Sequence, residues 1–448
     1  MEFEISPLDG RYKDKIAQLG NYFSEFALMR ARTVIESFYI LALYETKLFG
    51  ILGADNKNKI KRIINDFTIE DYRLIKQKEK LTNHDVKSVE LFLQDYLNLE
   101  NNNIIHIGLT SEDVNNLAYS LLLKQFLEKE FLPKIKEIEN MLIEMVGKWK
   151  SLVFCARTHG QKASPTTIGK EFAVFLSRIH KQVFKLEKIN FAGKLNGATG
   201  NYSAIKSAFP DYNWIEFSNK FVLRLKLAPN LYTTQIESHD NWAEFFNIVR
   251  MLNNIVIDLD QDCWEYISRG YLIEKTKEEE VGSSTMPHKV NPINFENAEG
   301  NLLLSNALLS FLSDKLCRSR MQRDLSDSTV QRNMGVALSH SYLALKETLK
   351  GLNKLDVNSD VCKQELQNSL ELLAEPIQSI LRTTNIDDPY GMLKGLSRGK
   401  KLTDEDLSTF IDELNVDKEI KKKLHALKIH EYIGEASKLC DMLLEEIS

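Results

Sequence analysis

The sequence is short of the residues that turns consume. Glycine occurs 20 times and proline 9 times in 448 residues, against roughly 31 and 22 at average usage. Sandwiches, barrels and propellers need many turns, so these folds are set aside in favour of a helix-rich one. Cysteine is equally sparse. Cys155, Cys263, Cys317, Cys362 and Cys440 are scattered and odd in number, without CxxC or metal-finger spacing, which points to reduced thiols in a cytoplasm. No apolar run approaches the ~20 residues of a membrane helix. The start, Met1-Glu2-Phe3-Glu4-Ile5, is acidic where a secretory leader would be basic. No long basic block stands out in a chain of 58 basic and 63 acidic residues, so neither nucleic acid nor a membrane is an expected partner.

What is present is a globular composition, 43% hydrophobic and 27% charged, which excludes general disorder. Helical spacing runs through Ile135, Ile138, Leu142, Met145 and Trp149, and through Phe245, Ile248, Leu252, Ile255 and Leu259. Ile168, Phe172, Phe175, Ile179, Val183 and Leu186 keep it, as do Val330, Met334, Leu338, Leu345, Leu349 and Leu352. These predict amphipathic helices of roughly 25–35 residues, about 40–50 Å long. The first is kinked or broken at Pro133. Near-heptad spacing favours a long antiparallel bundle, and so much apolar face predicts self-association. The expected plan is all-α in three parts: 1–110, a central bundle at 111–360, and 361–448. Lys421-Lys422-Lys423 reads as a solvated face.

The stretch Gly282-Ser283-Ser284-Thr285-Met286-Pro287-His288-Lys289-Val290-Asn291-Pro292 carries the chemistry. Gly282 and two prolines prevent continuous helix. Consecutive N–H groups there, with Lys289, suit an anion. By composition alone, a surface loop explains it equally well. Every fixed position, however, matches the GSSxMPxKxNP motif, by which the chain resembles the fumarase/aspartase superfamily. Arg157-Thr158-His159-Gly160-Gln161, the Met286-Pro287-His288-Lys289 form and Thr82-Asn83-His84-Asp85 resemble its adenylosuccinate lyase branch. The likeness continues through Asp9-Gly10-Arg11-Tyr12, Thr110-Ser111-Glu112-Asp113, Thr233-Thr234-Gln235-Ile236-Glu237 and Gln322-Arg323-Asp324-Leu325, and so covers nearly the whole chain.

The resemblance implies a helical homotetramer, a central bundle, active sites shared between subunits, and elimination of fumarate from a succinylated nucleotide. Such an elimination needs a base, a stabilised aci-carboxylate and an acid for the leaving nitrogen. By the resemblance Ser283 is the base, with Ser284 as the alternative. His159 is the acid, a role that suits imidazole, the side chain whose charge changes near neutral pH. Glu296 pairs with the histidine, and His84 is a second catalytic or phosphate-contacting histidine. Ser164-Pro165 reads as a helix N-cap behind His159. Thr82…Asp85 and Thr110…Asp113 fit the capping-box pattern, and capped helix starts receive anions.

Arg11, Arg323 and Arg332 follow as phosphate or carboxylate anchors, with Arg320 close by. Tyr12, Asn83, Asp85, Thr110, Ser111, Gln161, Gln235, Ser284, Met286, Lys289, Asn291, Asn297 and Ser328 are the remaining substrate contacts it implies. His106, His180, His340, His425 and His430 have no matched role, and neither do His239 and His288. With no metal-ligand cluster, phosphate-binding glycine loop or dinucleotide fingerprint, no metal and no cofactor are expected. The alternatives are another fumarate-releasing lyase, such as argininosuccinate lyase, or a non-catalytic helical scaffold.

Overall fold

A computed structural model describes residues 3–275, 290–397 and 402–447. The fold is all-α, as expected, and among the described residues its strands form three two-stranded pairs. The chain divides into two compact units. The first comprises Met1–Ile135, Gln182–Asn254 and Gly300–Ala344; the second comprises Lys136–Lys181, Ile255–Glu299 and Leu345–Ser448. No helix of the described residues is long and apolar enough to cross a membrane.

The first unit is organised around α1 (Glu25–Glu45). Ser24 caps it, accepting the Ala27 N–H at 3.1 Å. Met29 and Ile40 of α1 share a buried core with Ile75 of α2 (Ile69–Thr82) and Val89, Phe92, Leu93 and Leu97 of α3 (Asp85–Leu97). Next comes α4 (Ser111–Phe126). A π-helical turn, Leu127–Phe131, joins it to α5 (Leu132–Trp149). Pro133 has no N–H to offer the preceding turn. The helical run does not break there. Instead it widens for one turn, with the Leu132 N–H reaching the Leu127 carbonyl.

In the second unit a hairpin of β1 (Val153–Thr158) and β2 (Gln161–Thr167) precedes α6 (Ile168–Lys188). This corrects one expectation: Ser164 and Pro165 do not open a helix but lie in β2, with Pro165 opposite Cys155. A two-stranded ribbon has only edge strands, where a proline is tolerated. The periodic segment at 245–259 lies in α7 (Asp240–Ser268). Then follow β3 (Leu272–Glu274), α8 (Ile293–Leu316), α9 (Ser326–Gln331), α10 (Met334–Leu352), β4 (Leu355–Val357), antiparallel to β3, and α11 (Ser359–Gln367).

Of the helices expected at 25–35 residues, α7 reaches 29, while α5, α6 and α10 have 18, 21 and 19. The 330–352 pattern spans a break at Arg332 and Asn333, so it belongs to two helices. Cys155 and Leu366 join a second buried core with Leu373, Ile377 and Leu381.

Candidate active site

The first unit holds most of the predicted anchors. Thr82 is the last residue of α2, Asn83 turns the chain in the left-handed region at φ 51°, and His84 caps α3. The His84 Nδ1 accepts the Lys87 N–H at 3.2 Å. The capping-box reading of Thr82…Asp85 is therefore corrected: the cap is His84, because a left-handed Asn83 ends one helix before the next begins. Asp85 binds Arg32 at 2.8 Å and Arg332 at 3.3 Å. Burial works against its charge, yet Arg32, the Val86 N–H and Arg332 hold its carboxyl below the usual range. Arg332 also reaches Glu25 at 3.2 Å. The Arg32 guanidinium is 2% exposed, so it serves as a brace rather than a surface cation.

Thr110 caps α4 as expected, and the Asp113 carboxylate accepts the Thr110 N–H at 2.8 Å. Ser111 is the first helical residue and is half-buried. Asp113 also accepts the N–H groups of Asn196 and Gly197 at 2.9 and 3.2 Å. It pairs at 3.1 Å with the ammonium of Lys194, both side chains being wholly buried. Lys194 donates in turn to the carbonyls of Gly197 (3.0 Å) and Gln235 (2.7 Å). One buried ion pair thus joins the Thr110 helix start, the 194–200 loop and the Gln235 segment. The Gln235 amide donates to the Ala198 carbonyl at 3.3 Å. Gly200, at φ 72°, closes the loop: a Cβ there would stand 2.1 Å from the Thr233 carbonyl oxygen.

Arg323 reaches Glu112 at 2.9 Å and Asp327 at 3.7 Å. Burial pushes the Glu112 carboxyl up against the pull of Arg323. Among the described residues, Glu112 Oε2, Arg323 Nε, Asp327 Oδ2 and Gln331 Nε2 are buried without a hydrogen-bond partner, and such groups stabilise a structure only once satisfied. Ser328 lies beside them, its N–H bonded to Asp327 at 2.6 Å. Arg11 is exposed and lies 6.0 Å from the ring centre of Tyr12.

The second unit holds the predicted acid. His159 and Gly160, with φ of 54° and 73°, form the two-residue loop of the β1–β2 hairpin, the pattern of a type I′ turn. His159, Gly160 and Gln161 are exposed. Among the described residues no hydrogen bond reaches the His159 ring. Glu296, exposed on α8, accepts the Trp264 indole N–H at 3.0 Å, and among the described residues no hydrogen bond joins it to His159. Asn297 on α8 and Asn291 before it are half-buried. Ser283, Ser284, Met286, Lys289 and His288 lie outside the described residues.

The Lyase family matches residues 14–306, and the adenylosuccinate lyase C-terminal family matches residues 319–433. An adenylosuccinate lyase of Escherichia coli (strain K12) is 44% identical over 98% of both chains. One of Legionella pneumophila subsp. pneumophila (strain Philadelphia 1) is 45% identical over 97% of both. The chain belongs to the adenylosuccinate lyase family. Two solved structures share the fold at low identity. A fumarate lyase from Mesorhizobium sp. BNC1 has a TM-score of 0.78 at 18% identity, covering 96% of this chain and 97% of that one. A 3-carboxy-cis,cis-muconate lactonizing enzyme from Pseudomonas putida has 0.79 at 17%, covering 96% of each.

Asp113, Lys194, Glu112 and Arg32 brace the proposed anchors; the sequence marked Asp113 as a capping residue and Glu112 within a matched stretch, and passed over Lys194 and Arg32. A lysine between apolar Phe191-Ala192 and the Asn196-Gly197 turn was the available signal for Lys194. The remaining histidines have plain structural partners. His106 bonds Glu36 at 2.5 Å, His180 bonds Glu139 at 2.6 Å and His340 bonds Asn301 at 2.8 Å. His239 is buried against Trp242, ring centres 4.1 Å apart. All five cysteines are free thiols.

Proposed function

We propose that this enzyme cleaves adenylosuccinate to AMP and fumarate, and releases fumarate likewise from succinylaminoimidazole-carboxamide ribotide in purine biosynthesis. Kinship with adenylosuccinate lyases over 97–98% of the chain carries the reading. The branch-specific forms at 82–85, 157–161 and 286–289 support it. Ser283 takes a proton from the carbon beside one carboxylate, and the electron pair rests as an aci-carboxylate. Its collapse forms the carbon–carbon double bond and breaks the carbon–nitrogen bond. His159 supplies the proton that the leaving nitrogen takes up. The capped starts at His84 and Thr110 point N–H groups outward, and with Arg11, Arg323 and Arg332 they suit carboxylates and phosphate.

The working form is a cytoplasmic homotetramer with active sites shared between subunits. Leu303, Leu304 and Phe311 of α8 are each more than half exposed, as is Met251 of α7, and such apolar surface calls for a partner. Glu296 then meets the His159 of a neighbouring subunit. The three-part plan of 1–110, 111–360 and 361–448 remains part of this proposal.

The test is incubation with adenylosuccinate, followed by ultraviolet absorbance, with AMP and fumarate confirmed by chromatography. Malate, aspartate and argininosuccinate run alongside. Turnover of adenylosuccinate alone is expected; turnover of any of the other three in its place overturns the assignment. Mixed His159→Asn and Ser283→Ala variants should regain activity after subunit exchange, and failure to do so overturns the shared site.

A further inference from the structure

The exposed tip carrying His159 is tied down from beneath. Arg157, two residues before it, spends its guanidinium on three partners. Nη1 donates to the Gly160 carbonyl at 3.2 Å, Nη2 to Glu365 Oε1 at 2.5 Å and Nε to the Tyr271 hydroxyl at 3.0 Å. The Tyr271 hydroxyl donates in turn to the other Glu365 oxygen. Tyr271 is 1% exposed, and its ring packs against Phe154 of β1. Glu365 projects from α11, whose N-cap residue Asn358 donates its N–H to the Tyr271 carbonyl at 2.8 Å. Lys162 of β2 lies 3.8 Å from Glu365 and donates to Ser369 at 2.7 Å. The turn is thus gripped through one of its own carbonyls by a charged triad rooted in another helix.

An isolated two-stranded ribbon is marginally stable, and among the described residues His159 has no side-chain partner of its own. Its direction therefore follows the backbone of the turn. We propose that Glu365 and Tyr271, acting through Arg157, are positioning residues for proton delivery by His159. The proposal rests on the reading of His159 as the acid. Charge-assisted bonds are the strong ones, and a misplacement of about 1 Å at a reacting group can cost about 100-fold.

Three variants of the full-length enzyme test this: Glu365→Gln, Tyr271→Phe and His159→Asn, which keeps a residue tolerant of the left-handed turn. In the two clamp variants kcat should fall about tenfold or more while KM stays within about twofold, because substrate anchoring is left alone. Their solvent deuterium isotope effect on kcat should rise above that of the unaltered enzyme, as proton delivery becomes slower. Unchanged kcat in both variants, with His159→Asn impaired, overturns the clamp. So does a fall in kcat with an unchanged isotope effect, which marks fewer active molecules. Full turnover in His159→Asn removes the acid role itself and with it the basis of the proposal. If Glu365→Gln does not fold, Tyr271→Phe, which loses a single oxygen, carries the same criteria.

Discussion

The proposed anchors of the first unit and the proposed acid of the second are built in opposite ways. Asp85 sits between Arg32 and Arg332, Arg323 against Glu112, and Gln235 on a loop fixed by Lys194 and Asp113. Each is held by an ion pair before any substrate arrives, while Arg323 Nε has no hydrogen-bond partner among the described residues. His159 stands exposed on a hairpin tip, and only the turn beneath it is held. A group that binds gains from being fixed in place, since less freedom is lost on association. A group that must exchange a proton needs access as well as aim, and a braced tip provides both.

The sharpest break of this contrast is removal of the acid. His159→Asn should lower kcat by about 10²–10⁴ with little change in folding, as steady-state kinetics and melting temperature would read. Removing a brace should do the reverse. Lys194→Met leaves Asp113 charged and enclosed, so stability should fall by about 3–5 kcal/mol. KM should rise as the Gln235 segment loosens. Denaturant unfolding would check the first effect and kinetics the second.

Acid pH separates the regions further. Burial holds the His239 imidazole at about 4, below the ordinary value near 6.5. Above pH 6.5 the ring is neutral in both the folded and the unfolded chain. As pH falls from about 6.5 towards 4, the unfolded chain takes up a proton that the folded chain refuses. Stability is lost over that window, by about 2 kcal/mol at pH 5. His239→Leu should shrink the drop in melting temperature between pH 8 and pH 5, while an unchanged drop would place the proton uptake elsewhere. The smallest effect is expected at the tip. Gly160→Ala forces a side chain into the left-handed region and should cost about 1 kcal/mol, with a larger proportional loss in kcat than in stability.

The buried helical faces were legible. Ile135, Ile138, Leu142, Met145 and Trp149 are all buried on α5, and Phe245, Leu252, Ile255 and Leu259 on α7, because a 3.6-residue period registers burial directly. Helix ends were less legible. Thr110…Asp113 was read correctly as a cap, since a capping box is local. Thr82…Asp85 has the same spacing, yet the left-handed Asn83 intervenes. Ser164-Pro165 resembled a helix start, but pairing with residues 153–158 made it a strand, and pairing is not local. At the site the motifs supplied the proposed substrate contacts. Their braces, Lys194 and Glu365, lie 81 and 208 positions from the residues they hold, so no local pattern names those partners.

The enclosed amine of Lys194 gives the molecule a built-in timer. Acylating reagents modify surface lysines within moments, but this nitrogen is sealed between Asp113 and the carbonyls of Gly197 and Gln235. It reacts only during the fraction of time that the 194–200 loop swings open. Its labelling rate therefore clocks the breathing of the binding region, read against every exposed lysine of the same chain.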